Sequence, residues 1–149
     1  MSTPADRAVD QRIRAAFERQ HFMAHLGARL LLVEEGVVEI AVSRREQLLQ
    51  QHGFLHAGVL TSLLDSACGF AALSRMDAAS GVLSVEFKVN LLAPAAGEQF
   101  VVRGEVLKAG RSVVVCRGDA FAVNGDARRL IAAMQATMMT VRDRDDVKD

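Results

Sequence analysis

The segment Gln50-Gln51-His52-Gly53-Phe54-Leu55-His56-Ala57-Gly58 runs directly into a stretch with helical periodicity. A helix N-terminus presents unpaired backbone N–H groups and the positive end of the helix dipole. A carbonyl oxygen that gains negative charge in a transition state can be held there. Gly53 and Gly58 let a ligand approach the backbone closely. Taken alone, the segment also reads as an ordinary glycine-containing loop before a helix. Asp65 adds a second group. A carboxylate inside an apolar helix is costly without a partner. It is therefore either tied structurally to Thr61, Ser62 or a loop amide, or it does chemistry. Ala57 and Asp65 are eight residues apart, about 12 Å along one helix. One helix cannot bring both to one reacting carbonyl. If both act on one substrate, two copies of the helix must meet, and the active site is shared between subunits.

Other constellations are weaker. His21 and His25, and His52 and His56, stand four apart, a spacing that suits a metal on a helix, but no HExxH pattern occurs. Solvated or capping histidines fit better, and no metal is expected. Ser62 lacks a G-x-S-x-G elbow, which disfavours a serine hydrolase. The glycines at 104, 110 and 118 read as strand ends rather than a phosphate loop. Cys68, Met134, Met138 and Met139 read as core.

The elements that must position these groups follow from periodicity. Thr3 caps and Pro4 opens an N-terminal helix over residues 1–25, whose stripe is Val9, Ile13, Ala16 and Phe17. Two strands between Leu26 and Val42 flank a Glu34-Glu35-Gly36 turn. The glutamine-rich stretch from Ser43 to His52 reads as loop or a short helical turn. A buried helix spans His56 to Ser74, with Leu60, Leu63, Leu64, Ala67 and Ala71 on one side. Gly58, Thr61, Ser62, Asp65, Cys68, Gly69 and Ala72 line the other. Four strands follow, the first alternating over Val82–Leu92 and the last two joined by an Asn124-Gly125-Asp126 turn. Residues 142–149 form a charged tail that reads as a frayed end. Helix, two strands, helix, four strands, joined mostly as hairpins, is α+β with an antiparallel sheet and the apolar helix on one face. The chain, 1–149, reads as one domain.

Composition bounds the function. With 18 Lys+Arg against 18 Asp+Glu the formal charge is zero, and half the residues are hydrophobic. That balance lacks the basic footprint of a nucleic-acid binder. Two separated cysteines exclude a disulfide scaffold. No apolar run approaches the ~20 residues of a membrane span, and the start MSTPADRAVDQRIR is too polar for a signal peptide, so a cytoplasmic location is expected. A neutral, half-apolar chain has an association-prone surface, and a homo-oligomer is expected.

HGFLHAGVLTSLLDSACGFAA resembles the signature of hotdog-fold acyl-CoA thioesterases of the phenylacetic-acid-degradation (PaaI-like) type. SVEFKVNLLAPAAGE and AGRSVVVCRGDAFAVNGDARRLIAAMQATMM resemble that family's later strands, so the likeness covers most of the chain beyond Gly27. The resemblance implies a six-stranded antiparallel sheet wrapped round the central helix, in dimers that often pair into tetramers. It implies an acyl-CoA substrate whose thioester carbonyl is polarised by the amide of Ala57. Asp65, arriving from the neighbouring subunit, acts as general base or nucleophile. His56 and Gly58 shape the helix entry, and Ser84 matches a position that helps orient the attacking water. The family usually has Asn where this chain has Gln50, and HGG where it has His56-Ala57-Gly58. Coenzyme A contacts are expected near Asn90 and around Lys108, Gly110, Arg111 and Ser112, where cations meet phosphates. Coenzyme A being part of the substrate, no separate cofactor is expected. Two alternatives remain. A hotdog-fold enoyl-CoA hydratase or dehydratase also pairs a histidine with an acid, although its proline-rich entry is missing between Pro4 and Pro94. A non-catalytic acyl-CoA-binding protein has little need of Asp65.

Overall fold

The computed structural model describes residues 3–149; the expected polar start at Met1 and Ser2 lies outside the described residues. Helix α1 spans Pro4–Glu18. Its start is fixed as the sequence predicts: the Thr3 hydroxyl accepts from the Asp6 N–H at 3.1 Å, and the Asp6 carboxylate accepts from the Thr3 N–H at 2.7 Å. The single helix expected over 1–25 is two. The Arg19 N–H bonds to the Ala16 carbonyl and the Gln20 N–H to that of Phe17, tightening the last turn. Gln20 is then extended, with ψ 94°, before α2 at His21–Leu26. The break carries no proline or glycine, so the sequence gives no signal of it.

The strands are β1 (Arg29–Glu34), β2 (Val37–Ser43), β3 (Gly81–Leu91), β4 (Gln99–Ala109), β5 (Val113–Asn124) and β6 (Ala127–Val141). They form one sheet in the order β1-β2-β4-β5-β6-β3, every neighbour antiparallel. Gly36 (φ 81°) and Gly125 (φ 55°) sit in left-handed conformation at the two turns that sequence marks. Within Ser43–His52 a 3₁₀ turn forms at Glu46–Leu48.

Helix α3 spans Ala57–Leu73 and lies in the concave face of the sheet. Leu60, Leu63, Leu64, Ala67 and Ala71 are buried as the wheel predicts. Cys68 and Ala72, assigned to the opposite side, are also fully buried. The reason lies in the sheet. Gly104 of β4 and Gly118 of β5 face each other in register, not at strand ends but mid-strand. A Cβ on Gly104 meets the Ala67 carbonyl at 2.4 Å, and one on Gly118 meets Leu64 Cδ2 at 2.9 Å and Cys68 Sγ at 3.2 Å. The two glycines form a trough into which the helix backbone sinks, carrying Cys68 down with it. Gly110, by contrast, does follow directly on β4. Burial raises both thiols, Cys116 to about 12 and Cys68 further, so each stays protonated and packs as a small apolar residue. The side of α3 left partly open carries Gly58, Thr61, Ser62, Asp65 and Gly69.

After α3 the chain does not pair with its predecessor. β3 crosses to the far edge and pairs on one side only, with β6. That edge exposes Leu83, Val85, Phe87 and Leu91, each more than two-fifths open. Long apolar edge strands are templates for pairing. The tail expected to fray instead docks at the start of β3. Its Val147 carbonyl lies where a Cβ on Gly81 would stand, 1.6 Å away, and Asp149 pairs with Arg19 at 3.6 Å. Arg12 of α1 holds the α3–β3 connection by donating to the carbonyls of Met76 (3.0 Å) and Ser80 (2.6 Å). A six-stranded antiparallel sheet wrapped round a central helix is the hotdog fold that the resemblance implies.

Candidate active site

One half of the site is built at the start of α3. The loop before it is closed by backbone bonds: Gln50 N–H to the Phe54 carbonyl (2.8 Å), Leu55 N–H to Ala95 (3.0 Å) and His56 N–H to Leu48 (2.9 Å). Gly53 takes φ 84°, which lets the turn 50–54 close. His56 is the N-cap in extended conformation, φ −61° and ψ 136°. Its ring Nδ1 accepts from the Gly58 N–H at 2.8 Å, so the proton of the neutral ring sits on Nε2. A Cβ on Gly58 would press on that Nδ1 at 3.0 Å. The Val59 N–H is also taken, by the His56 carbonyl at 3.0 Å. Among the described residues, the Ala57 N–H has no partner. Ala57 lines a cavity of about 410 Å³ with Gln50, Phe54, Leu60, Leu91 and Leu92. The Gln50 Oε1 accepts from the His52 N–H, which leaves the Gln50 amide NH₂ as a second donor at the same cavity.

The other half lies two turns further along α3. The Ser84 hydroxyl of β3 donates to Asp65 Oδ1 at 2.6 Å. This is the partner that the sequence leaves open. Thr61 and Ser62 donate instead to the carbonyls of Ala57 and Gly58, both at 2.8 Å. Asp65 is half-buried, and among the described residues its Oδ2 has no partner. Asp65 and Ser84 border a cavity of about 90 Å³ that Gln20, Ser66 and Phe70 also line. Gln20 is a site residue that periodicity gives no means of finding, since it touches Ser66 across 46 positions.

Within one chain the two halves stay apart, in separate cavities. The residues expected to meet coenzyme A are likewise divided. Lys108, Gly110, Arg111 and Ser112 form the β4–β5 hairpin, where Val113 stands in register with Met139 and that with Leu83. Asn90 lies seven positions further along β3, about 20 Å away. It borders an outer-face groove of about 240 Å³ with Lys88, Arg117 and Gln135. Among the described residues, no group of three His, Cys, Asp or Glu is placed to hold a metal. No described helix is long and apolar enough to cross a membrane.

The fold is shared with proteins described as thioesterases. A family profile described as "Thioesterase superfamily" matches residues 52–127. A thioesterase family protein from Silicibacter pomeroyi is 48% identical, with TM-score 0.88 over 90% of this chain and 98% of that one. The PaaI protein of Escherichia coli shares the fold at TM-score 0.80 and 21% identity, over 92% of this chain and 96% of that one. In sequence, the Escherichia coli medium/long-chain acyl-CoA thioesterase YigI is 26% identical over 79% of this chain and 84% of its own length. The match to SSO2140 of Saccharolobus solfataricus, 32% identical over 60% of this chain, spans 64% of that protein. The chain belongs to the Thioesterase superfamily, a class of thioester hydrolases.

Proposed function

We propose that this protein is an acyl-CoA thioesterase whose active site forms between two subunits. The observation that carries the reading is the division of the chemistry: a partnerless Ala57 N–H and a Ser84-anchored Asp65 in separate cavities of one chain. Antiparallel pairing of β3 with a second β3, about a two-fold axis near the strand's middle, covers the exposed apolar edge. It also sets the partner subunit's Ser84 beside residues 88–90 of this chain, next to Leu91 at the amide-side cavity. The same pairing carries Asn90 toward the partner's 110–112 hairpin, so phosphates can meet Asn90, Lys108, Gly110, Arg111 and Ser112 together.

In this reading the thioester carbonyl accepts hydrogen bonds from the Ala57 N–H and the Gln50 amide. The partner subunit's Asp65 takes a proton from water as the water oxygen bonds to the carbonyl carbon. Its Oδ1 is occupied by Ser84, so Oδ2 serves as the base, and the Ser84 hydroxyl orients the water. The oxyanion then collapses, the C–S bond breaks, and the proton passes from Asp65 to the departing sulfur. The products are the free acid and coenzyme A, and no other cofactor takes part. An acyl-CoA substrate also fits a cytoplasmic enzyme. YigI, named as an acyl-CoA thioesterase, supports an acyl-CoA substrate, with the length of the acyl chain left to this chain's own cavities.

The test is release of free thiol from a panel of acyl-CoA esters by wild type and Ala57→Pro. Ala57 is the first residue of α3 and follows an extended His56, a position that accepts proline without strain. The variant loses only its N–H. Expected is an unchanged melting profile with kcat down about 10²–10³-fold, the effect of removing one oxyanion donor. Undiminished kcat contradicts the assigned role of Ala57. Hydration of enoyl-CoA without thiol release would establish the hydratase alternative instead.

A further inference from the structure

We infer that Gln20, at the junction of α1 and α2, sets which acyl group the enzyme accepts, favouring short tails that carry a hydrogen-bond acceptor. This rests on the thioesterase reading above. Gln20 is placed where an N-cap side chain would ordinarily bond back to its own helix, but it makes no such bond. Its side chain instead reaches α3, where the Ser66 hydroxyl donates to its Oε1 at 3.2 Å. That bond fixes the amide. Among the described residues its NH₂ has no partner. Gln20 thus gives a polar wall to the cavity that Asp65 and Ser84 also border.

The location matters because Asp65 and Ser84 mark where the attacked carbon sits. Atoms attached to that carbon and pointing away from coenzyme A enter the same cavity. Its volume is about 90 Å³, well below the ~150 Å³ of an apolar cavity that holds benzene. That is room for a tail of a few heavy atoms within one chain. Phe70, packed against Phe17 with the rings tilted at 58° and their centroids 5.9 Å apart, makes a second wall that does not yield easily. Gly69 leaves the remaining space open, since a Cβ there meets nothing within 4 Å. An unpaired amide donor at the end of such a cavity is satisfied by a hydroxyl, keto or carboxylate oxygen. A purely apolar tail leaves it buried and unpaired, the arrangement by which polar sites reject apolar analogues.

The experiment measures kcat/KM for acetyl-, 3-hydroxybutyryl-, hexanoyl- and decanoyl-CoA with wild type, Gln20→Ala, Gln20→Asn and Gly69→Ala. Expected is a wild-type preference for 3-hydroxybutyryl over decanoyl. Gln20→Ala should lower 3-hydroxybutyryl turnover and raise decanoyl turnover by about tenfold each, while acetyl changes less than about twofold. Gln20→Asn, which keeps the donor but shortens it, should hold 3-hydroxybutyryl turnover nearer wild type than Gln20→Ala does. Gly69→Ala adds a methyl to the cavity and should lower hexanoyl more than acetyl. Equal changes across the panel, or acyl ratios that Gln20→Ala leaves unmoved, overturn the assignment to Gln20. Absence of thiol release by wild type from every ester overturns the thioesterase reading itself, an outcome distinct from unchanged ratios.

Discussion

Replacing Asp65 by Asn is expected to abolish most thioester hydrolysis while leaving the fold in place. Asparagine has nearly the shape of aspartate and can still accept from the Ser84 hydroxyl, the 2.6 Å contact that holds the side chain. What it lacks is the basic oxygen that removes a proton from water. General-base contributions of this kind are worth about 10²–10⁴-fold, so kcat should fall by that factor with KM little changed. Ser84→Ala should give a smaller loss, because it removes the contact that orients Asp65 and the water but keeps the base. Assays of free thiol with both variants, beside thermal melts, check the expectation. Full activity in Asp65→Asn removes Asp65 from the mechanism and leaves it as a structural partner of β3.

The largest effect on stability is expected at Gly104, in the trough beneath α3. A Cβ there stands 2.4 Å from the backbone of Ala67, and backbone cannot rotate away as a side-chain end can. Either the helix lifts from the sheet or β4 bends. Overpacking of this kind costs about 3 kcal/mol, which lowers Tm by roughly 6–12 °C in a chain of this size. Activity should fall as well, because the lifted segment carries Ala57 and Asp65 at its two ends of the site. Gly69→Ala is the control. It adds the same methyl to a glycine with open space, and helix propensity alone should stabilise it by about 0.5–1 kcal/mol. Melts followed by circular dichroism compare the two. Equal Tm for Gly104→Ala and wild type would show that the trough does not hold the helix.

Much of this architecture is legible in the sequence because it is local. Thr3 and Pro4 announce the start of α1, Gly36 and Gly125 announce turns, and the apolar run after His56 fixes α3 to within a residue of each end. The entry loop and Asp65 are legible for a related reason: their residue types are costly unless the backbone or a partner uses them. What the sequence hides depends on distant contacts. The break at Gln20 has no local marker, and the reason for the side chain's position is Ser66, 46 positions away. Cys68 reads as core from its residue type, but the surface it packs on is not legible until Gly104 and Gly118 are seen facing each other beneath the helix. The charged tail reads as solvated because its docking site is Gly81, whose missing side chain is what admits the Val147 carbonyl. Pairing of β3 with β6 rather than with a sequence neighbour is likewise a matter of topology, and it is what leaves the apolar edge open.

That open edge links the neutral, half-apolar composition to the proposed chemistry. If β3 pairs with a second β3, each site takes its oxyanion donor from one chain and its base from the other. The direct measurement is subunit complementation. Asp65→Asn and Ala57→Pro, each nearly inactive alone, are unfolded together, refolded as a mixture and assayed for thiol release. A shared site predicts recovery to about a quarter of wild-type activity, since half the dimers are mixed and each mixed dimer has one intact site of two. A mixture no more active than its two separate components would contradict the shared site and place the chemistry within a single chain.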